Sequence, residues 1–142
     1  MNILTGTYYH NVDSKGRLNF PSKLRDILGA GFMATRGMGT KCITVYSMAE
    51  WEKLSEKVAA LPVSKAGTIK RWLYSGACEL VPDKQGRVLL PKELRDWCGI
   101  ETEAVIIGTG DKAEIWSAEQ WQAEFEEIDP NELQAELESL DF

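Results

Sequence analysis

Asp13-Ser-Lys-Gly16-Arg17 and, half the chain further on, Asp83-Lys-Gln-Gly86-Arg87 each set a carboxylate four residues before a guanidinium, across a glycine. The chemistry such a pair could do is recognition. A guanidinium is a planar fork that matches carboxylates, phosphates and the edge of guanine bidentately. An aspartate across the turn could fix the direction of that fork. It could equally be a staple for the hairpin, and exposed ion pairs are worth only about 0–1 kcal/mol. Spacing alone leaves both readings open. Lys15 and Lys84 lie on the two turns, with Lys23, Arg25, Lys92 and Arg95 close behind. A basic hairpin written twice could offer a strand-and-loop surface to a DNA groove, with arginine reading guanine and lysine holding phosphate.

Catalysis finds less support. His10 is the only histidine, and it stands in a strand pattern with no serine or cysteine partner at an informative spacing. No P-loop, H-E-x-x-H or G-x-S-x-G occurs. Asp13 and Asp83 could be imagined as paired carboxylates, but each has its own arginine. Cys42, Cys78 and Cys98 are an odd, unclustered set among apolar neighbours, without a C-x-x-C. They read as buried free thiols, which suits a reducing cytoplasm. The expectation is a non-enzyme with no metal, no cofactor and no small-molecule substrate.

The charge distribution qualifies the net charge. The 142 residues carry −6 overall, which argues superficially against a polyanionic partner. Yet residues 1–112 hold all 16 Lys and Arg against 12 acids, while residues 113–142 hold ten acids and no base. Exposed charges are screened beyond roughly 8 Å at physiological salt, so a basic patch away from the tail keeps its own potential. No apolar run of about 18 residues marks a membrane span. The opening MNILTGTYYH lacks the charged start and long apolar stretch of a signal peptide.

The elements that must position these groups repeat as well. Residues 13–29 and 83–99 share eight of seventeen positions: Asp13/Asp83, Gly16/Gly86, Arg17/Arg87, Pro21/Pro91, Leu24/Leu94, Arg25/Arg95, Asp26/Asp96 and Gly29/Gly99. Gly6/Gly76, Ser47/Ser117 and Trp51/Trp121 extend the match. Each repeat reads β-β-α-β-β. A strand over 7–12 leads to a type I turn at 13–16, where Gly16 is free to take positive φ. Strand 17–20 alternates, with Arg17 and Asn19 on one face and Leu18 and Phe20 on the other. Pro21 and Pro91 suit the first position of a helix, and Gly29 and Gly99 its end. FMATR and CITVY form a hairpin around Gly37–Gly39, as do AVIIG and AEIWS around Gly108–Gly110. Ser47-Met-Ala-Glu50 and Ser117-Ala-Glu-Gln120 are capping boxes that open helices.

This spacing predicts a first repeat over 1–51, a helical linker over 52–75, a second repeat over 76–121 and an acidic helical tail over 122–142. A unit of about 45 residues has too little core to stand alone. Two could bury their apolar faces against each other. That need accounts for the apolar matches; it accounts poorly for the repeated Asp13, Arg17 and Arg25.

The doubled D-x-x-G-R-(apolar)-x-(apolar)-P-x-x-(apolar)-R pattern, with IGTGDKAEIWS and QW behind the second copy, resembles the MraZ family over residues 6–125. The resemblance implies an α+β fold of two tandem AbrB-like swapped-hairpin units, forming a pseudo-symmetric, β-barrel-like body with flanking helices. It also implies a bacterial transcriptional regulator, a repressor, that binds short repeats in double-stranded DNA upstream of its own cell-division and cell-wall operon. It implies a homo-oligomer in the form of a ring, cytoplasmic and nucleoid-associated. Carried over position by position, DNA contact falls to Lys15, Arg17, Lys84 and Arg87. Asp13, Asp83, Gly16 and Gly86 hold the motif's shape. The chain departs from the family's pattern at Thr5 and in its apolar lead MNIL. A rival reading on the same fold is an antitoxin-like protein-binding module that uses the acidic tail; a third is a purely structural ring.

Overall fold

A computed structural model describes residues 2–142. The first repeat supplies β1 (Thr7–Asn11), β2 (Arg17–Asn19), α1 (Ser22–Leu28), β3 (Phe32–Arg36) and β4 (Ile43–Tyr46). Two helices follow, α2 (Met48–Ala59) and α3 (Val63–Ser75). The second repeat gives β5 (Cys78–Leu80), β6 (Arg87–Leu89), α4 (Lys92–Cys98), β7 (Glu103–Gly108) and β8 (Ala113–Ser117). The chain ends in α5 (Ala118–Glu126) and α6 (Pro130–Ser139).

The repeats do not fold side by side. One antiparallel sheet runs β1-β7-β8-β4-β3-β5, and β2 pairs with β6 in a separate two-stranded ribbon. The first strand of each repeat therefore pairs with the third strand of the other. The second and fourth strands pair with their own counterparts, Leu18 opposite Val88 and Thr44 opposite Glu114. One core results. Leu18 and Val88, Phe20 and Leu90, Leu24 and Leu94, and Leu28 and Cys98 are all buried in the same cluster.

The expected barrel does not close. β1 and β5 are free edges, because each repeat's first strand turns away into the ribbon after its glycine turn. On the first side an isolated bridge between Val12 and Leu18 links strand to ribbon.

Local signals placed most element ends. Ser47 Oγ accepts from the Glu50 N–H at 3.2 Å and Ser117 Oγ from the Gln120 N–H at 3.0 Å, so the serine half of each expected capping box forms. Pro21 and Pro91 differ from expectation by one place: each is the cap, extended at ψ 131° and 142°, rather than the first helical residue. Proline fits there because its φ suits both sites, while its carbonyl starts the helix: Pro21 O accepts from Leu24 and Arg25. With seven residues and no side-chain cap, α1 and α4 depend on packing Leu24 and Leu94 into the core.

On the outer face of the sheet, Trp51 of α2 sits 5.7 Å from Tyr46 and 5.8 Å from Tyr74 of α3. Trp121 of α5 packs against Trp116 of β8 at 5.9 Å. Cys42 and Cys98 are buried free thiols, as expected, and burial pushes both up to about 11. Cys78 is only half-buried, because it lies on the edge strand β5.

Candidate nucleic-acid interface

Each turn is organised by its aspartate. Asp13 Oδ1 accepts the backbone N–H groups of Lys15 and Arg17, both at 2.9 Å, and Oδ2 accepts Arg17 Nε at 2.7 Å. Asp83 does the same with Gln85, Arg87 and Arg87 Nε, all at 2.9 Å. The turns close through Gly16 N–H to Asp13 O at 3.0 Å and Gly86 N–H to Asp83 O at 2.9 Å. Gly16 and Gly86 sit at φ 86° and 80°, where a side chain would be strained. Stapling and aiming are thus one device.

The Arg17 backbone N–H, then its side chain, draws the Asp13 carboxyl down from 3.8 to about 2; the Asp83 carboxyl is lowered by the corresponding bonds from Arg87. A lowered carboxyl pKa contributes stability above the free value and loses it as pH falls through the folded one. For Asp13 that loss lies between about 4 and 2, so the pair is ionised at neutral pH.

The ribbon brings the two arginines together. Arg17 stands opposite Leu89 and Asn19 opposite Arg87, so the arginines are diagonal neighbours on the face away from the buried Leu18 and Val88. Diagonal neighbours are roughly 7–8 Å apart. Each arginine spends Nε on its aspartate and leaves its terminal nitrogens without a protein partner among the described residues. Those are the nitrogens that a guanine edge or a phosphate would take. Lys15 and Lys84, both exposed, are not brought together. Their turns lie at opposite ends of the ribbon, since Leu90 N–H donates to Gly16 O and Phe20 N–H to Gly86 O, each at 2.9 Å.

The third repeated arginine has a role that spacing did not disclose. Arg25 Nε donates to Phe20 O at 2.9 Å, and its guanidinium lies over Gly86 of the other repeat, where a Cβ would stand 2.8 Å from it. Arg95 donates to Leu90 O at 3.0 Å and lies over Gly16, where a Cβ would stand 3.0 Å from its guanidinium. Each helix braces the partner repeat's turn. The signal was present in the joint repetition of glycine and arginine, but nothing local linked Arg25 to Gly86 or Arg95 to Gly16. Lys92, counted with the basic residues, is held by Asp96 at 2.7 Å along α4.

The MraZ family model, described as "MraZ protein, putative antitoxin-like", matches residues 3–68 and 73–141. The chain belongs to the MraZ family. Among relatives named "Transcriptional regulator MraZ", the protein of Heliobacterium modesticaldum is 42% identical over 142 residues, covering 99% of both chains. That of Caldicellulosiruptor bescii is 43% identical, over 97% of this chain and 99% of its own. That of Natranaerobius thermophilus is 46% identical over 84% of each. Membership of the MraZ family makes the chain a transcriptional regulator and not an enzyme. Among the described residues no helix is long and apolar enough to cross a membrane.

Proposed function

We propose that this MraZ-family chain is a sequence-specific DNA-binding repressor of the bacterial cell-division and cell-wall operon, acting in the cytoplasm at the nucleoid. In this reading the repeats 1–51 and 76–121 form paired AbrB-like swapped-hairpin units, the linker 52–75 joins them, and 122–142 is an appended tail. The exchange of strands between repeats supports it.

The observation that carries the reading is the ribbon face itself. Arg17 and Arg87, each aimed by its own aspartate, lie side by side with free terminal nitrogens. One ribbon makes few contacts. A homo-oligomeric ring that sets several ribbons on successive promoter repeats would raise avidity steeply. Lys15 and Lys84 hold backbone, and Arg17 and Arg87 read bases.

An electrophoretic shift with the duplex upstream of the chain's own coding sequence tests this. Arg17→Ala and Arg87→Ala should each weaken binding about 5- to 150-fold per site, the span of one bidentate base contact, with folding intact. Normal binding by Arg17→Ala would end the hairpin reading.

A second reading, an antitoxin-like protein-binding module, draws on the tail, where Leu133, Leu140 and Phe142 are exposed on and beyond an acidic helix. Truncation near Asp129 separates the two. Loss of a protein partner with DNA binding intact would favour the second.

A further inference from the structure

His10 on β1, Asn19 on β2, Lys23 and Arg25 on α1 and Gln85 on the second turn line one open groove of about 450 Å³, together with Tyr8. Asn19 is the cross-strand partner of Arg87, so the groove opens beside the second arginine. Its two cationic groups, the exposed Lys23 ammonium and the Arg25 guanidinium, are donors only, while the imidazole, the two amides and the Ser22 hydroxyl can each donate as well as accept. Among the described residues no carboxylate lines it. Phe20 and Pro21 supply an apolar floor.

The corresponding positions of the other half are Leu80, Leu89 and Glu93, with Lys15 in the place of Gln85. One end of the ribbon therefore has its cation on the turn and none at the matching helix position. The other end has Gln85 at that turn position, with Lys84 one place earlier, and a lysine on the helix of the opposite repeat.

The geometry points to this groove as a seat for a DNA backbone phosphate next to the base pairs that Arg87 meets, with Lys23 as its charge. The inference rests on the DNA-binding reading above and assigns the second hairpin a cation from the first repeat. Phosphate fits the donor set because it accepts several hydrogen bonds and carries charge without sequence. The apolar floor suits a deoxyribose face. A small free anion would need the enclosure that closed ligand pockets provide, and this groove lacks it.

The test is fluorescence anisotropy with the full chain across a salt series, on the upstream duplex and on a shuffled duplex of equal composition. Lys23→Ala should weaken both duplexes by the same factor and lower the log–log salt slope by about 0.9 per engaged subunit. Lys23→Arg, which keeps the charge, should restore the slope. Lys23 is exposed, so the melting curve should not move, and oligomer size is checked alongside it. An unchanged slope in Lys23→Ala, with Arg87→Ala still weakened on the upstream duplex, overturns the groove and leaves the reading standing. Loss confined to the upstream duplex also overturns it, because a phosphate seat carries no sequence preference. If the wild-type chain treats the two duplexes alike and Arg87→Ala changes neither, the DNA reading itself fails and the groove falls with it.

Discussion

The two repeats agree where they meet and differ where the chain enters them. At the ribbon, the turn, the Asp–Arg pair and the crossed arginine brace occur twice in nearly the same geometry. The ion pair measures 2.7 Å in one copy and 2.9 Å in the other, the brace 2.9 Å and 3.0 Å. At the outer edge the match slips. His10 pairs with Ala104, whereas its counterpart Leu80 pairs with Phe32. Phe32 therefore corresponds in space to Ala104 and not to Thr102, which the spacing of Asp13 and Asp83 would select. That places Arg36 in register with Gly108. The first repeat is entered by an extended lead: Leu4 is buried, bridges to Gly110, and crosses so near Gly108 that a Cβ there would stand 2.3 Å from Thr5 N. The second is entered through α3, whose last turn is held by Arg36. Its terminal nitrogen donates to Trp72 O at 2.8 Å and Ser75 Oγ at 2.5 Å, and it stacks 4.5 Å over the Trp72 ring. Glycine clears space for a backbone, and arginine reaches out to a helix. The turn and its Asp–Arg pair are kept on the face that would meet DNA, the flanking Asn19/Leu89 and Lys23/Glu93 positions differ, and the lead-ins differ most.

The largest expected effect probes the kept symmetry. Leu24 and Leu94 are buried to 1% and 4% exposure at matching positions of one core. Leu24→Ala and Leu94→Ala should each cost about 2–5 kcal/mol, and urea denaturation should give similar midpoints for both. A large difference would mean that the halves fold with unequal dependence on the shared core. The next effect probes the broken symmetry. Gly108→Ala must push backbone against backbone and should cost about 1–3 kcal/mol. Gly76→Ala, at φ −95°, meets the Arg36 side chain first and should shift the midpoint less. Equal losses would refute the account of the two lead-ins.

These contrasts mark what the sequence made legible. The turns, the Asp–Arg pairs, the alternation of Arg17-Leu18-Asn19-Phe20 and the capped helices all depend on residues within a few positions of each other, and each was visible as spacing. The strand order was not, because alternation says which face is buried and never which strand lies alongside. β1 finding β7, and β5 finding β3, is a long-range choice, and so is the open sheet that replaced the expected barrel. Arg25 and Arg95 looked like two more surface bases until the partner turn was beside them. Gly6 and Gly76 mislead in the opposite direction: identical residues at the repeat spacing, yet φ is 98° in one and −95° in the other. Of the interface, the four repeated Asp and Arg residues were legible. The braces and the His10–Lys23 groove, built from both repeats, were not.

The smallest effect sharpens one difference among those on the interface, Lys15 against Gln85, which stands beside Ser14 against Lys84. Both backbone N–H groups at these positions donate to their aspartate at 2.9 Å, so the turn does not depend on which side chain is present. Exchanging them alters charge alone. Lys15→Gln should lower the salt slope of DNA binding by about 0.9 per engaged subunit, and Gln85→Lys should raise it by the same amount. Neither change should move the melting temperature, since both side chains are exposed. If Gln85→Lys leaves the slope untouched while Lys15→Gln lowers it, only the first turn lies against the backbone. The ribbon would then tilt onto DNA by one end, with Lys23 too far from the backbone to contribute. If both respond, the two ends bear on the duplex together, and the near-symmetry of the ribbon is matched by its use.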